Sequence, residues 1–146
     1  MRILVTGGAG FIGANFVHWT LANRPDTQIS VLDRLTYATD GTSLSDVRDR
    51  IEFVQGDISD SPLVDRLVAD TDLVVHFAAE SHNDNSQVDP SPFVQPHIMG
   101  TFTILEAVRP HARRLPHVRT AEAYAALDPH APQHGPADPP DTPQRH

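Results

Sequence analysis

An open α/β fold, a doubly wound parallel sheet of about five strands, is what this sequence predicts. Three observations carry that expectation. Short apolar runs alternate with stretches of helical periodicity along most of the chain. The first run, Ile3-Leu-Val-Thr-Gly-Gly-Ala-Gly-Phe-Ile-Gly13, passes through a glycine-rich turn into the opening of a helix. An acid, Asp33, closes the second apolar run twenty residues past Gly13. Strands joined through helices need crossovers, and crossovers favour parallel pairing with right-handed connections.

Residues 2–6 form the first predicted strand, and a helix from about Phe11 to Asn23 follows. Ile12, Phe16, Trp19 and Leu21 recur on it at roughly helical spacing, and Pro25 closes it. Gln28–Asp33 is the second strand. Residues 34–50 read as a loop with a short helix around Leu44–Asp49, and Ile51–Gln55 alternates as a third strand. Ser61-Pro62 places a cap residue before a proline and opens a helix whose Leu63, Leu67 and Val68 belong to the core. Asp72–Phe77 is a fourth strand, continuously apolar as a strand buried on both faces should be.

Pro92 to Arg109 reads as a further helix. Pro96 inside it should kink it or delay its start, because proline has no N–H and clashes with the preceding turn. Leu115-Pro-His-Val118 is a poor fifth strand, and Pro116 confines it to an edge. From Pro129 on there are six prolines among 18 residues and almost no large apolar side chains, so a disordered tail is expected. The expected organisation is a nucleotide-binding domain over 1–127 and a tail over 128–146.

Composition narrows the function classes. A net charge of -8 argues against nucleic-acid and anionic-membrane surfaces. The absence of cysteine excludes disulfides, thiolate catalysis and cysteine-based zinc sites. The apolar run after Met1-Arg2 is too short for a signal peptide or a membrane span, so a cytoplasmic protein is expected. Nine histidines invite a metal reading. His76, His82 and His97 could approach one another at the sheet edge, but they lack a helical His-x-x-x-His setting, and no metal is expected.

The glycine turn carries the chemistry. Gly8-x-Gly10-x-x-Gly13 fits the dinucleotide fingerprint, and Gly7-x-x-Gly10-x-x-Gly13 fits its short-chain dehydrogenase variant. Without Cβ atoms, backbone N–H groups can approach a pyrophosphate, and the helix N-terminus adds partial positive charge. Asp33 at the end of the second strand is placed to accept from both adenosine ribose hydroxyls, which favours NAD. Arg34 beside it could hold a 2′-phosphate, so NADP stays open.

Thr6–Gly13, Leu32-Asp-Arg-Leu-Thr-Tyr-Ala38, Gly56-Asp-Ile58 and His76-Phe-Ala-Ala-Glu-Ser-His82 together resemble the extended short-chain dehydrogenase/reductase superfamily. Within it they resemble the dTDP-glucose 4,6-dehydratase branch of the NAD-dependent epimerase/dehydratases, from Met1 to about Leu127. The resemblance implies a Rossmann-type fold, NAD as cofactor, a nucleotide sugar as substrate and a role in deoxysugar biosynthesis. It also suggests a homodimer, or pairing with a full-length relative.

Carried over by position, Gly7, Gly10, Phe11, Ile12 and Gly13 would line the pyrophosphate turn. Asp33, Arg34, Leu35 and Thr36 would surround the ribose, and Asp57 with Ile58 would hold the adenine. Phe77, Ala78, Ala79, Glu80 and Ser81 would pass beneath the nicotinamide side, with Ser81 also near the sugar.

The catalytic half departs from the pattern. The resemblance implies oxidation at C4 of the sugar, elimination of water across C5 and C6, and return of the hydride to C6. Where the branch carries Ser-Thr-Asp-Glu, this chain reads Arg119-Thr120-Ala121-Glu122. Thr120 remains as a substrate contact and Glu122 as a remnant base, but the acid is gone. A Tyr-x-x-x-Lys pair has no candidate: only Tyr37 and Tyr124 exist, and all 11 basic residues are arginine. The helix segment Thr-Asn-Val-x-Gly-Thr is altered to Pro96-His97-Ile98-Met99-Gly100-Thr101.

A positioned acid or base contributes about 10²–10⁴-fold each, so losing two removes roughly 5–11 kcal/mol of barrier lowering if the effects add. With the later substrate domain also expected to be absent, the chain reads as a truncated, NAD-binding but catalytically incompetent fragment. A non-catalytic binding module that pairs through the Pro92–Arg109 helix is one alternative. A decayed or frame-shifted gene product is another.

Overall fold

The computed structural model describes residues 1–35, 42–80, 94–111 and 113–118. Four parallel strands form its sheet: β1 (Arg2–Thr6), β2 (Gln28–Asp33), β3 (Glu52–Gln55) and β4 (Leu73–His76), in the order β3-β2-β1-β4. Register runs Arg2↔Gln28 and Ile3↔Leu73 across β1, and Ser30↔Glu52 between β2 and β3. After β3 the chain returns across the sheet to the other side of β1. That reversal makes the carboxyl ends of β1 and β4 the switch point where such folds leave a crevice.

The two-residue period of the strands explains the layers. Ile3, Val5, Ile29, Val31 and Val75 face one side, where they meet Ala14, Val17 and Leu21 of α1 (Phe11–Asn23). Leu44 and Val47 of a 3₁₀ segment, Thr42–Arg50, complete that layer. Leu4, Leu32 and Val74 face the other side, against Val64, Leu67 and Val68 of α2 (Ser61–Ala69) and Ile104, Ala107 and Val108 of α3 (Thr101–His111). Helices cover both faces, as an all-parallel sheet requires.

Several sequence expectations are corrected in detail. The buried face of α1 is Gly13, Ala14, Val17, Thr20 and Leu21, while Ile12 is 61% and Trp19 57% exposed. Of the four apolar positions expected to recur on one face, Leu21 is buried and Phe16 packs against the core, while Ile12 and Trp19 lie outside it. The cap of α2 is Asp60 rather than Ser61; its carboxylate accepts from Leu63 N–H at 3.2 Å. Carboxylates are as strong as hydroxyls in that position.

At Pro96 the winding is π-helical, over Gln95–Gly100, and it is α-helical over Thr101–His111; the expected start near Pro92 lies outside the described residues. The fifth strand is reduced to two parallel bridges, Leu73↔Arg114 and His76↔His117, along the free edge of β4. Pro116 sits there as a pure acceptor, its carbonyl taking His76 N–H at 3.1 Å. No helix among the described residues is long and apolar enough to cross a membrane. The tail over 128–146 lies outside the described residues.

Candidate dinucleotide-binding site

The glycine turn is built against the loop after β4. Gly7 adopts φ +70, a conformation that favours glycine. A Cβ there would lie 2.6 Å from the Ala78 backbone. A Cβ on Gly13 would strike the Gly7 carbonyl and come within 2.8 Å of Gly8 Cα. Gly10 differs: the nearest atom to its Cβ position is Gly7 O at 3.4 Å. The protein itself therefore demands Gly7 and Gly13, while Gly10 leaves open room in front of the helix.

That helix end is uncapped. Gly10 is its N-cap with no side-chain hydrogen bond, and no acid stands in the first turn. The first intrahelical bond is Ala14 N–H to Gly10 O at 2.8 Å, which leaves the Phe11, Ile12 and Gly13 N–H groups without an intrahelical acceptor. An uncapped N-terminus behind an open glycine suits an anion. Phe11 is 86% exposed and Ile12 is exposed as well, so both are available to a ligand.

Asp33 is buried at the carboxyl end of β2, only 9% exposed. Its Oδ2 accepts from Ala9 N–H at 2.9 Å, and its Oδ1 accepts from Leu35 N–H at 2.9 Å. Leu35 is held at φ 53, a sparsely populated conformation for a leucine. The turn is fixed from a third side by Ser43, whose hydroxyl donates to Ala9 O at 2.7 Å. Nothing in the sequence pattern marked Ala9 or Ser43: Ala9 acts through its backbone N–H and C=O, and the Ser43 hydroxyl reaches it from 34 residues further along the chain.

Arg34 turns to Asp57, with Nη1 to Oδ2 at 3.1 Å. Asp57 Oδ1 also accepts from Ser59 N–H at 2.9 Å and Ser59 Oγ at 2.7 Å. Partial burial pushes the Asp57 carboxyl up, but the two Ser59 bonds and the Arg34 guanidinium outweigh it and hold it below 3.8. Ile58, by contrast, is core: it packs with Leu4 and Val64 and lies beneath Gly100.

Phe77 is half-buried and packs on Phe16 at 5.4 Å between ring centroids, so its ring supports the sheet layer under α1. Ala78 joins the opposite cluster, Ala79 is exposed, and His97 Nε2 lies 3.1 Å from both the N and O of Glu80. Thr36, Ser81, Thr120 and Glu122 lie outside the described residues.

Below the crevice His76 is 1% exposed. Its Nδ1 shares a hydrogen bond with Thr6 Oγ1 at 2.6 Å, and its Nε2 lies 3.4 Å from Thr101 Oγ1. Burial first, then the His117 and His97 rings, lower its pKa from 6.5 to about 4. It is a neutral structural pin across β1, β4 and α3. No group of three or more metal-ligating side chains occurs among the described residues.

The NAD dependent epimerase/dehydratase family matches residues 3–145 of this chain. The chain belongs to that family. Among curated members, the dTDP-glucose 4,6-dehydratase of Mycobacterium tuberculosis strain H37Rv is 59% identical over 128 residues, which is 88% of this chain and 39% of the relative. Dehydratase 1 of Escherichia coli K12 is 42% identical over 141 residues, covering 87% and 39% of the two chains.

Two members of known structure share the fold. A dTDP-glucose 4,6-dehydratase from Streptomyces venezuelae, solved with NAD and TYD bound, superposes with a TM-score of 0.82 at 44% identity, over 88% of this chain and 42% of that one. The Bacillus anthracis enzyme in complex with NAD gives 0.84 at 33% identity, over 99% and 45%. The chain thus spans about two fifths of the length of the relatives it matches.

Proposed function

We propose that this chain is the NAD-binding portion of a dTDP-glucose 4,6-dehydratase-like protein, and that by itself it binds NAD(H) without completing the dehydration. The Ala9–Asp33 bond carries the reading. It unites the two halves of an adenosine diphosphate site, an uncapped glycine turn for the pyrophosphate and a buried carboxylate for the ribose hydroxyls.

Gly7, Gly10, Phe11, Ile12 and Gly13 would hold the pyrophosphate; Asp33 with Leu35 would orient the ribose, and Asp57 would receive the adenine. Ala78 and Ala79, next to the turn, would border the nicotinamide. Bound there, NAD supplies a hydride acceptor and donor. Proton transfer falls to side chains, and here the sequence is deficient: Ala121 stands where the branch has its acid, and no lysine exists to lower a tyrosine pKa.

Calorimetry with NAD⁺ is expected to show saturable binding that Gly10→Ala weakens at least about tenfold, because the added methyl occupies the space the turn leaves open. Absence of heat at millimolar NAD⁺ overturns the reading. Incubation with dTDP-glucose and NAD⁺ is expected to yield no 4-keto-6-deoxy product, and turnover would overturn the inactivity.

A second reading, pairing with another copy or with a full-length relative, rests on one observation. Val94, Ile98, Phe102 and Leu105 are all exposed at helical spacing along the π turn and α3. Sedimentation of the chain, alone and with a full-length relative, tests it, with Phe102→Asp as the disrupting variant.

A further inference from the structure

We infer that Asp57 sets the choice of cofactor by holding Arg34 away from a ribose 2′-phosphate, so that the Arg34–Asp57 pair discriminates NAD from NADP. The inference rests on the NAD-binding reading above. Arg34 follows Asp33 at the carboxyl end of β2, where a free guanidinium would suit a dianionic 2′-phosphate. It is not turned outward: its Nη1 lies 3.1 Å from Asp57 Oδ2.

Asp57 cannot follow an arginine that swings away. Ser59 N–H and Oγ both donate to its Oδ1, at 2.9 and 2.7 Å, and Gln95 Nε2 in turn donates to Ser59 Oγ at 2.9 Å. Anchored between the β3–α2 loop and the π turn, the carboxylate stays where it is. The pair is partly exposed, so its direct attraction is modest. Its weight lies in the local charge. With Asp33 alongside, a 2′-phosphate would meet two carboxylates and one already neutralised cation, whereas an unmodified ribose hydroxyl would meet an acceptor.

The test compares dissociation constants for NAD⁺ and NADP⁺ by calorimetry on the 146-residue chain and three variants. Asp57→Asn keeps the side-chain shape and an acceptor for Ser59 while removing the charge. It is expected to move the NADP⁺/NAD⁺ affinity ratio toward NADP⁺ by at least about tenfold. Adding Arg34→Gln to it is expected to cancel that gain. Arg34→Gln alone is expected to bring no gain toward NADP⁺, since it supplies no cation and leaves the Asp57 carboxylate unneutralised.

An unchanged ratio in Asp57→Asn overturns the inference, as does a gain that persists without Arg34. A gain of NADP⁺ affinity in Arg34→Gln alone also overturns it. None of these outcomes bears on the NAD-binding reading, which the parent chain's own affinity for NAD⁺ tests. Failure of the parent chain to bind either dinucleotide overturns the NAD-binding reading and this inference together.

Discussion

Asp33 Oδ2 accepts the backbone N–H of Ala9 at 2.9 Å, tying the end of β2 to the middle of the glycine turn. The carboxylate that suits a ribose thereby also shapes the loop that suits a phosphate. Its other oxygen, engaged by Leu35 N–H, stabilises a left-handed leucine at the start of the next loop. One buried side chain organises three backbone segments.

Asp33→Ala is therefore expected to destabilise the fold as well as remove cofactor binding. It leaves two backbone donors without their acceptor, at a cost of about 2–4 kcal/mol, and Asn, which retains one acceptor oxygen, about half of that. Urea denaturation measures the difference. Stability equal to wild type in both variants would show that the contact carries no structural weight.

The two outer glycines of the turn and the middle one should part company under substitution to alanine. Gly13→Ala drives a methyl into the Gly7 carbonyl, so a loss above about 3 kcal/mol or failure to fold is expected. Gly10→Ala meets only Gly7 O at 3.4 Å. Its cost is the weaker N-cap, at most about 1 kcal/mol, while the loss appears in NAD⁺ affinity. Thermal melts read alongside calorimetry separate the two effects.

His76 makes stability pH-dependent. Its folded pKa, about 4, lies below the ordinary 6.5, so the unfolded chain takes up a proton that the folded one refuses. The stabilisation is complete above pH 6.5 and is lost as pH falls from there toward 4, by about 3 kcal/mol. Urea midpoints across that range should fall for the wild-type chain and flatten in His76→Gln. Equal slopes in the two proteins would assign the loss to other groups.

Thr20 is 2% exposed on the face of α1 that meets the sheet, and its hydroxyl has no hydrogen-bond partner among the described residues. Thr20→Val exchanges the hydroxyl for a methyl of similar size. A gain of about 1 kcal/mol is expected in chemical denaturation. A loss would mean that the oxygen has a solvent partner.

Much of the fold is legible in the sequence because its signals are local. The alternation Ile3/Val5 against Leu4 sorts side chains to two faces, and Gly10 fixes the start of α1 at Phe11. Pro96 marks the place where the winding departs from regular α-helix. Tertiary choices are less visible. Trp19 shares the helical spacing of Phe16 and Leu21, yet it stands 57% exposed while Ala14 and Val17 are buried. The same limit applies at the site: Gly7, Gly13 and Asp33 are read from spacing, whereas Ala9, Ser43 and Ser59 act through folded proximity. Arg34 is ambiguous from its neighbours in sequence, because its partner lies 23 residues further along the chain.

Gly7 and Ala78 meet backbone to backbone, with no side chain between them. Phe77 and Ala78 consequently cannot advance on the glycine turn without meeting hard atoms. The two ends of an extended ligand laid across this crevice would be gauged by a single rigid joint. A displacement at one end would be felt at the other, and the turn would serve as the fixed origin from which the reach of such a ligand is measured.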